Sequence, residues 1–197
     1  MKFKIGILNL GLNNIKSIVS FFRKFGNVLI FDKINKNQID NNLDLLVIPG
    51  NGNFLSGTKS LYDRGFVDTI KNFKKKVIGI CLGMQLLFET SEENDNCEGL
   101  KLIKGKVLKI KYQKMKLPLL GWYKTFDKNN EESNFFFNNN YVCIPENKNI
   151  IVKSIKTEEG NLVAMIKYKN IYGIQFHPEK SSLNGYNLIK KIINDKI

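Results

Sequence analysis

The sequence predicts an α/β fold: an open, mostly parallel sheet flanked by helices, with antiparallel strands added in the second half. Three observations predict it. In the first half, short β-branched runs alternate with stretches whose apolar residues recur at helical spacing. One such strand runs straight into a helix across Gly79-Ile80-Cys81-Leu82-Gly83, a sharp turn with a glycine on each side of a cysteine. Beyond about residue 99 the helical period gives way to shorter strands and turns.

Residues 2–9 read as the first strand, and 13–25 as a helix with Ile15, Ile18, Val19, Phe22 and Phe25 on one face and Gly26 as its stop. Residues 27–31 and 43–48 are the next strands, the latter apolar enough to be buried. It ends in Pro49-Gly50-Asn51-Gly52-Asn53-Phe54, a loop at the carboxyl end of a parallel strand, where open α/β sheets place their sites. A helix is expected over 57–73, the strand of the cysteine turn over 77–80 and its helix over 82–88. In the second half, strands are expected over 105–111, 120–126, 135–137, 141–144, 162–168 and 171–176. The last two form a hairpin across Lys169-Asn170, and a closing helix runs over 182–193. Residues 129–140, with two asparagine clusters, are expected to form a mobile loop. No internal repeat is evident, and residues 1–197 read as one domain.

Composition narrows the class of protein. Hydrophobic content of 43% and charged content of 25% are those of a soluble globule. No stretch approaches the roughly 18 to 20 apolar residues of a membrane span. The start of the chain reads directly into a strand and not into a signal peptide, so a cytoplasmic protein without membrane attachment is expected. Three cysteines, with no Cys-x-x-Cys spacing, argue against a disulfide framework. A net charge of +13 invites a nucleic-acid reading, but only Arg23 and Arg64 of the 31 basic residues are arginine, the residue suited to bidentate base contacts. The lysines are spread through the chain as solvated charge, and no nucleic-acid partner is expected. A basic face that speeds docking of an acidic protein partner is compatible with the pattern. No metal and no cofactor are expected.

The chemistry gathers around Cys81. Gly-x-Cys-x-Gly is the cysteine counterpart of the nucleophile elbow, in which small flanking residues let the nucleophile stand at the top of a sheet. At the start of a helix, a thiolate is favoured by the dipole and by free N–H groups. The only histidine, His177, precedes a proline that holds it extended, so Glu179 projects to the same side and can orient the imidazole. Nucleophile, base and orienting carboxylate thus occur in the order of a Cys-His-Glu triad. Cys97 and Cys143 read as inert apolar residues. Backbone N–H groups of Gly50 and Asn51, with that of Leu82, are positioned to form an oxyanion hole. Gln85, one helical turn after Cys81, points back to the nucleophile's side.

The segments Gly79-Ile80-Cys81-Leu82-Gly83-Met84-Gln85 and Phe176-His177-Pro178-Glu179 resemble the paired signatures of class I (triad) glutamine amidotransferases. The resemblance implies hydrolysis of the side-chain amide of L-glutamine through a γ-glutamyl thioester on Cys81, with His177 as base and acid and Glu179 as its orienter. It implies a glutamine site lined by Gly50, Gly52, Gln85, Asn140 and Tyr141. Further likeness in Pro49-Gly50-Asn51-Gly52, Leu86-Leu87-Phe88-Glu89, Pro118-x-x-Gly121-Trp122 and Tyr141 points to those members that pass ammonia to a synthase (cyclase) subunit of histidine biosynthesis. It implies a heterodimer with that subunit, with Asn13, Asn14 and Trp122 at the docking face.

The chain departs from the pattern at two places. Asn9-Leu10-Gly11 and Asn13-Asn14 replace Asp-Tyr-Gly and Gly-Asn, and Asn138-Asn139-Asn140 replaces Val-His-Ser. Two alternatives therefore stand beside the first: a glutaminase serving an N-acetyl sugar amidotransferase of surface glycans, and a stand-alone Cys-His-Glu γ-glutamyl hydrolase or peptidase.

Overall fold

The order of elements follows the alternation in the sequence. In the computed structural model, which describes residues 3–12, 15–34, 43–93, 97–111 and 115–197, β1 (Lys4–Leu8) leads into α1 (Ile15–Phe22), β2 (Asn27–Phe31) and β3 (Leu45–Ile48). Then come α2 (Phe54–Asp63), α3 (Phe66–Asn72), β4 (Lys76–Ile80) and the short α4 (Leu82–Gln85). Strands β5 (Phe88–Ser91), β6 (Cys97–Glu98), β7 (Ile103–Lys109), β8 (Leu119–Asp127), β9 (Glu132–Asn139) and β10 (Tyr141–Pro145) follow. The chain closes with β11 (Ile151–Thr157), β12 (Gly160–Tyr168), β13 (Ile171–Ile174), a 3-10 turn at Pro178–Lys180 and α5 (Ser182–Ile193).

Nine strands form the main sheet in the order β2-β1-β3-β4-β13-β12-β11-β8-β9. The first five are parallel to one another, and β12 turns the sheet antiparallel through the Lys169-Asn170 hairpin. A separate four-stranded sheet, β10-β7-β5-β6, stands beside it. The central strands are apolar throughout: Leu45, Leu46, Val47 and Ile48 are all inaccessible to solvent. Such strands need cover on both faces, which the helices provide. Helix α1 turns Ile18, Val19, Phe21 and Phe22 inward. No helix among the described residues is long and apolar enough to cross a membrane.

Several expectations change. The helix read over 57–73 is two helices, because Gly65 adopts φ 71° and a side chain there would meet Ile34 O at 2.4 Å. It also starts earlier, at Phe54, where Asn53 Oδ1 accepts the Ser56 N–H at 2.8 Å as an N-cap. The helix read over 82–88 is helical only to Gln85; Leu87 O instead accepts from the N–H groups of Leu102 and Ile103, and the chain enters the second sheet. The loop read over 129–140 is mostly strand β9, whose Phe135, Phe137 and Asn139 alternate inward. Strands β5, β6 and β11 were not anticipated by the hydrophobic pattern. The closing helix 182–193 has the expected bounds.

Candidate active site

The carboxyl ends of β4 and β13 meet in parallel register, with Ile80 opposite Ile174. The next residue on each strand is Cys81 and Gln175, and the Cys81 N–H donates to Ile174 O at 2.7 Å. Cys81 itself takes φ 53° and ψ −112°, a conformation that few L-residues adopt. Close backbone packing enforces it. A Cβ on Gly79 would come within 2.6 Å of Gly83 O, and one on Gly83 within 1.9 Å of Ile48 O. The glycine pair is thus required by the approach of α4 to β3 and β4. Gly50 makes the same kind of contact: a Cβ there would lie 2.6 Å from Leu82 Cβ and 2.7 Å from Gly83 N. The Pro49-Gly50 loop accordingly lies against the turn that carries the cysteine.

Two residues beyond Gln175, His177 is held from three directions. Its N–H donates to Phe136 O of β9 at 2.8 Å, its carbonyl accepts the Ser181 hydroxyl at 2.6 Å, and Ser181 Oγ in turn accepts the Phe136 N–H at 3.0 Å. Pro178 opens a 3-10 turn that brings Glu179 back to the ring. His177 Nδ1 and Glu179 Oε1 are 2.8 Å apart, with both side chains almost fully buried. Burial acts to lower the His177 pKa, but Cys81 and Glu179 together outweigh it and raise it from 6.5 to about 10. The buried Nε2 atom has no hydrogen-bond partner, and Cys81 is the neighbour that acts most strongly to raise the pKa.

Sequence reasoning passed over Gln175 as a site residue. It is 1% exposed, donates from Nε2 toward Cys81 Sγ at 3.8 Å, and accepts from Gln85 Nε2 at 3.2 Å. Cys81, Gln175 and Gln85 therefore form a buried chain of polar contacts. The only available signal was its position: two residues before the histidine, on a strand parallel to that of the cysteine. Cys81 Sγ also lies 3.9 Å from Asn138 O, which brings the end of β9 to the site.

Of the asparagines there, Asn140 is exposed on the turn between β9 and β10. Asn139 is the buried one: its Nδ2 donates to Tyr141 O at 2.9 Å, while its Oδ1 has no partner. Tyr141 is half-buried, and burial, with Glu93 and Glu92, raises its pKa. Asn51 and Gly52 are exposed at the loop tip, and Gly52 has φ 119°. Trp122 sits apart from these groups, 53% exposed on β8 and edge-on to Phe136. Asn13 and Asn14 lie outside the described residues. Cys143 is buried, and burial pushes its thiol pKa well up, with Cys81 adding to the effect. Among the described residues, no group of three or more His, Cys, Asp or Glu side chains could hold a metal ion.

A thiol facing an imidazole, whose second nitrogen is held by a buried carboxylate, can transfer its proton and attack a carbonyl carbon. Comparisons with known proteins bear on which carbonyl. Residues 7–194 match the family model for glutamine amidotransferase class-I. Imidazole glycerol phosphate synthase subunit HisH of Pyrococcus furiosus is 34% identical, over 95% of this chain and 96% of that one. The protein of the same name from Haemophilus influenzae is 34% identical, over 96% of each chain. Among solved structures, a glutamine amidotransferase of Thermotoga maritima shares the fold with a TM-score of 0.64 at 17% identity, covering 98% of this chain and 91% of that one.

Proposed function

The chain belongs to the class-I glutamine amidotransferase family, and we propose that it is the glutaminase subunit of an imidazole glycerol phosphate synthase. With the thiol proton passed to His177 Nε2, Cys81 Sγ attacks the side-chain amide carbon of glutamine. The same nitrogen then protonates the departing ammonia, leaving a γ-glutamyl thioester. A water molecule, its proton drawn by His177, opens the thioester to glutamate and frees Cys81. Glu179 fixes the ring and its tautomer through Nδ1. N–H groups of Gly50, Asn51 and Leu82 hold the oxyanion, and Gly50, Gly52, Gln85, Asn140 and Tyr141 line the amino-acid end. The single observation carrying this reading is the buried 2.8 Å His177–Glu179 pair beside a cysteine held at φ 53°.

A partner surface is supported by exposed apolar groups near the same strand. Trp122 and Leu120 stand outward from β8 at 53% and 61% exposure. Trp122 packs on Phe136, and Phe136 O holds the His177 backbone. A synthase (cyclase) subunit seated there would press on the strand that positions the base. On this reading ammonia passes to that subunit in a cytoplasmic heterodimer.

Steady-state glutaminase measured with and without the cyclase and its acceptor tests the proposal. Low activity alone and a large rise in the complex are expected; full activity in the lone chain favours a stand-alone hydrolase. The second reading, service to an N-acetyl sugar amidotransferase, rests on Asn139 and Asn140 standing in place of histidine and serine. Growth without histidine of a strain lacking its own glutaminase subunit decides between the two.

A further inference from the structure

We propose that Gln175 is a positioning residue for the nucleophile, its side-chain amide fixing where the Cys81 sulfur stands between β13 and β9, a role that rests on the glutaminase reading of the site.

Backbone contacts first bring the two residues together. The Gln175 N–H donates to Ala164 O of β12 at 2.9 Å, and the Cys81 N–H donates to Ile174 O at 2.7 Å. This end of β13 lies close under α4: a Cβ on Gly173 would come within 2.8 Å of Met84 Cγ. Two residues on, the Gln175 side chain reaches Gln85 of the same helix. Phe176 packs elsewhere, stacked on Phe135.

Packing alone does not call for an amide here. The flanking Ile174 and Phe176 are apolar and inaccessible to solvent, and an apolar side chain would fill the space at 175 as well. An amide at 1% exposure is withdrawn from water and must find its partners inside the protein. Both partners that the structure gives it belong to the site. Oε1 accepts from Gln85 Nε2 at 3.2 Å, and Nε2 donates toward Cys81 Sγ at 3.8 Å. The bond from Gln85 decides which way the amide lies, so that an N–H and not the carbonyl faces the sulfur.

Asn138 O, an acceptor, lies 3.9 Å from Sγ. A donor from β13 and an acceptor from β9 thus confine the sulfur. Neither an amide N–H nor a backbone carbonyl is a base at neutral pH, so both leave the proton transfer to His177. Gln175 acts through the place of the sulfur, and attack on a carbonyl carbon is sensitive to shifts of an ångström or less.

Alkylation of Cys81 by iodoacetamide, followed on the full chain by mass spectrometry, tests this together with steady-state glutaminase kinetics. Gln175→Met should slow alkylation about tenfold. In glutaminase it should lower kcat about tenfold and change KM by less than about twofold, since nucleophile and not substrate is displaced. Should that variant not fold, Gln175→Asn, one methylene too short to reach both partners, replaces it, with alkylation slowed about threefold or more. Ile166→Val, a packing change beside Gly173, is the control and should leave alkylation within about twofold of the parent rate. Alkylation at the parent rate in the folded Gln175 variant, equal slowing in the control, or a raised KM with kcat unchanged overturns the proposal. Alkylation needs no glutamine, so a parent chain that fails to hydrolyse glutamine would overturn the glutaminase reading and leave the alkylation result to decide the role of Gln175.

Discussion

The turn at Cys81 and the arm that carries His177 hold their reactive atoms by opposite means. At the cysteine, backbone packs on backbone: Gly79 and Gly83 let α4 close onto β3 and β4, and the strained φ of 53° follows from that approach. At the histidine, long-range hydrogen bonds serve instead, from Phe136 of β9 and from Ser181 before α5. Phe176 between them is clamped by Phe135, whose ring stacks on it at 3.9 Å. The nucleophile is thus set by residues within the parallel half, and the base by the antiparallel half. The lesson is that the two halves fail differently: steric change should disable the first, and loosening of distant contacts the second.

The sharpest break is steric. Gly83→Ala places a methyl 1.9 Å from Ile48 O, so the turn cannot close as built. A loss of about 3 kcal/mol or more in urea unfolding is expected, with hydrolysis lost as well. A stable, active Gly83→Ala protein would mean that the glycine pair does not dictate the turn.

Chemical removal comes next, and the cysteine change should leave the fold alone. Cys81→Ala is expected to lower glutamine hydrolysis by about 10⁴-fold or more, His177→Ala by about 10³-fold and Glu179→Ala by about 10²-fold. Circular dichroism and Tm should change little in the first. A glutamine-directed electrophile should label Cys81 and spare Cys97 and Cys143; labelling spread over all three in the folded protein would remove the cysteine from its proposed role.

The ion pair on the histidine side predicts a pH dependence of stability. The His177 pKa rises on folding from 6.5 to about 10. Its contribution is therefore complete below pH 6.5 and is lost as the pH climbs toward about 10. The stability difference between the parent protein and His177→Ala, from urea unfolding, should shrink across that window. A flat difference would detach the histidine from its charged neighbours.

The smallest effect tests the seam between the halves. Gln175→Met keeps volume but removes the amide that reaches Cys81, and about a tenfold slowing of Cys81 alkylation is expected. A purely packing role would change Tm and leave the alkylation rate in place.

Much of this was legible before the structure, and unevenly so. The first-half strands and α5 follow hydrophobic periods that survive intact. Strand β9 was legible only at 135–137, because its flanking residues are polar, and Asn139 faces inward with Phe135 and Phe137. Strand β11 was missed because the buried Lys153 interrupts its apolar face. The split of α2 from α3 turned on Gly65, whose φ becomes necessary only when Ile34 O closes over it.

Local chemistry was therefore determined by the sequence alone: the glycine–cysteine–glycine turn and the His-Pro-Glu spacing each lie within a few residues, where backbone geometry is short-ranged. Tertiary structure decided the rest. Gln175 reaches Cys81 across 94 residues because β13 lies parallel to β4 in one register, and a shift of that register would break the contact. Asn139 rather than Asn140 turns inward by the pleat of β9, and Lys153 shares the inward face of β11 with Ile155. Burial and register depend on which strands become neighbours, and no local pattern carries that information.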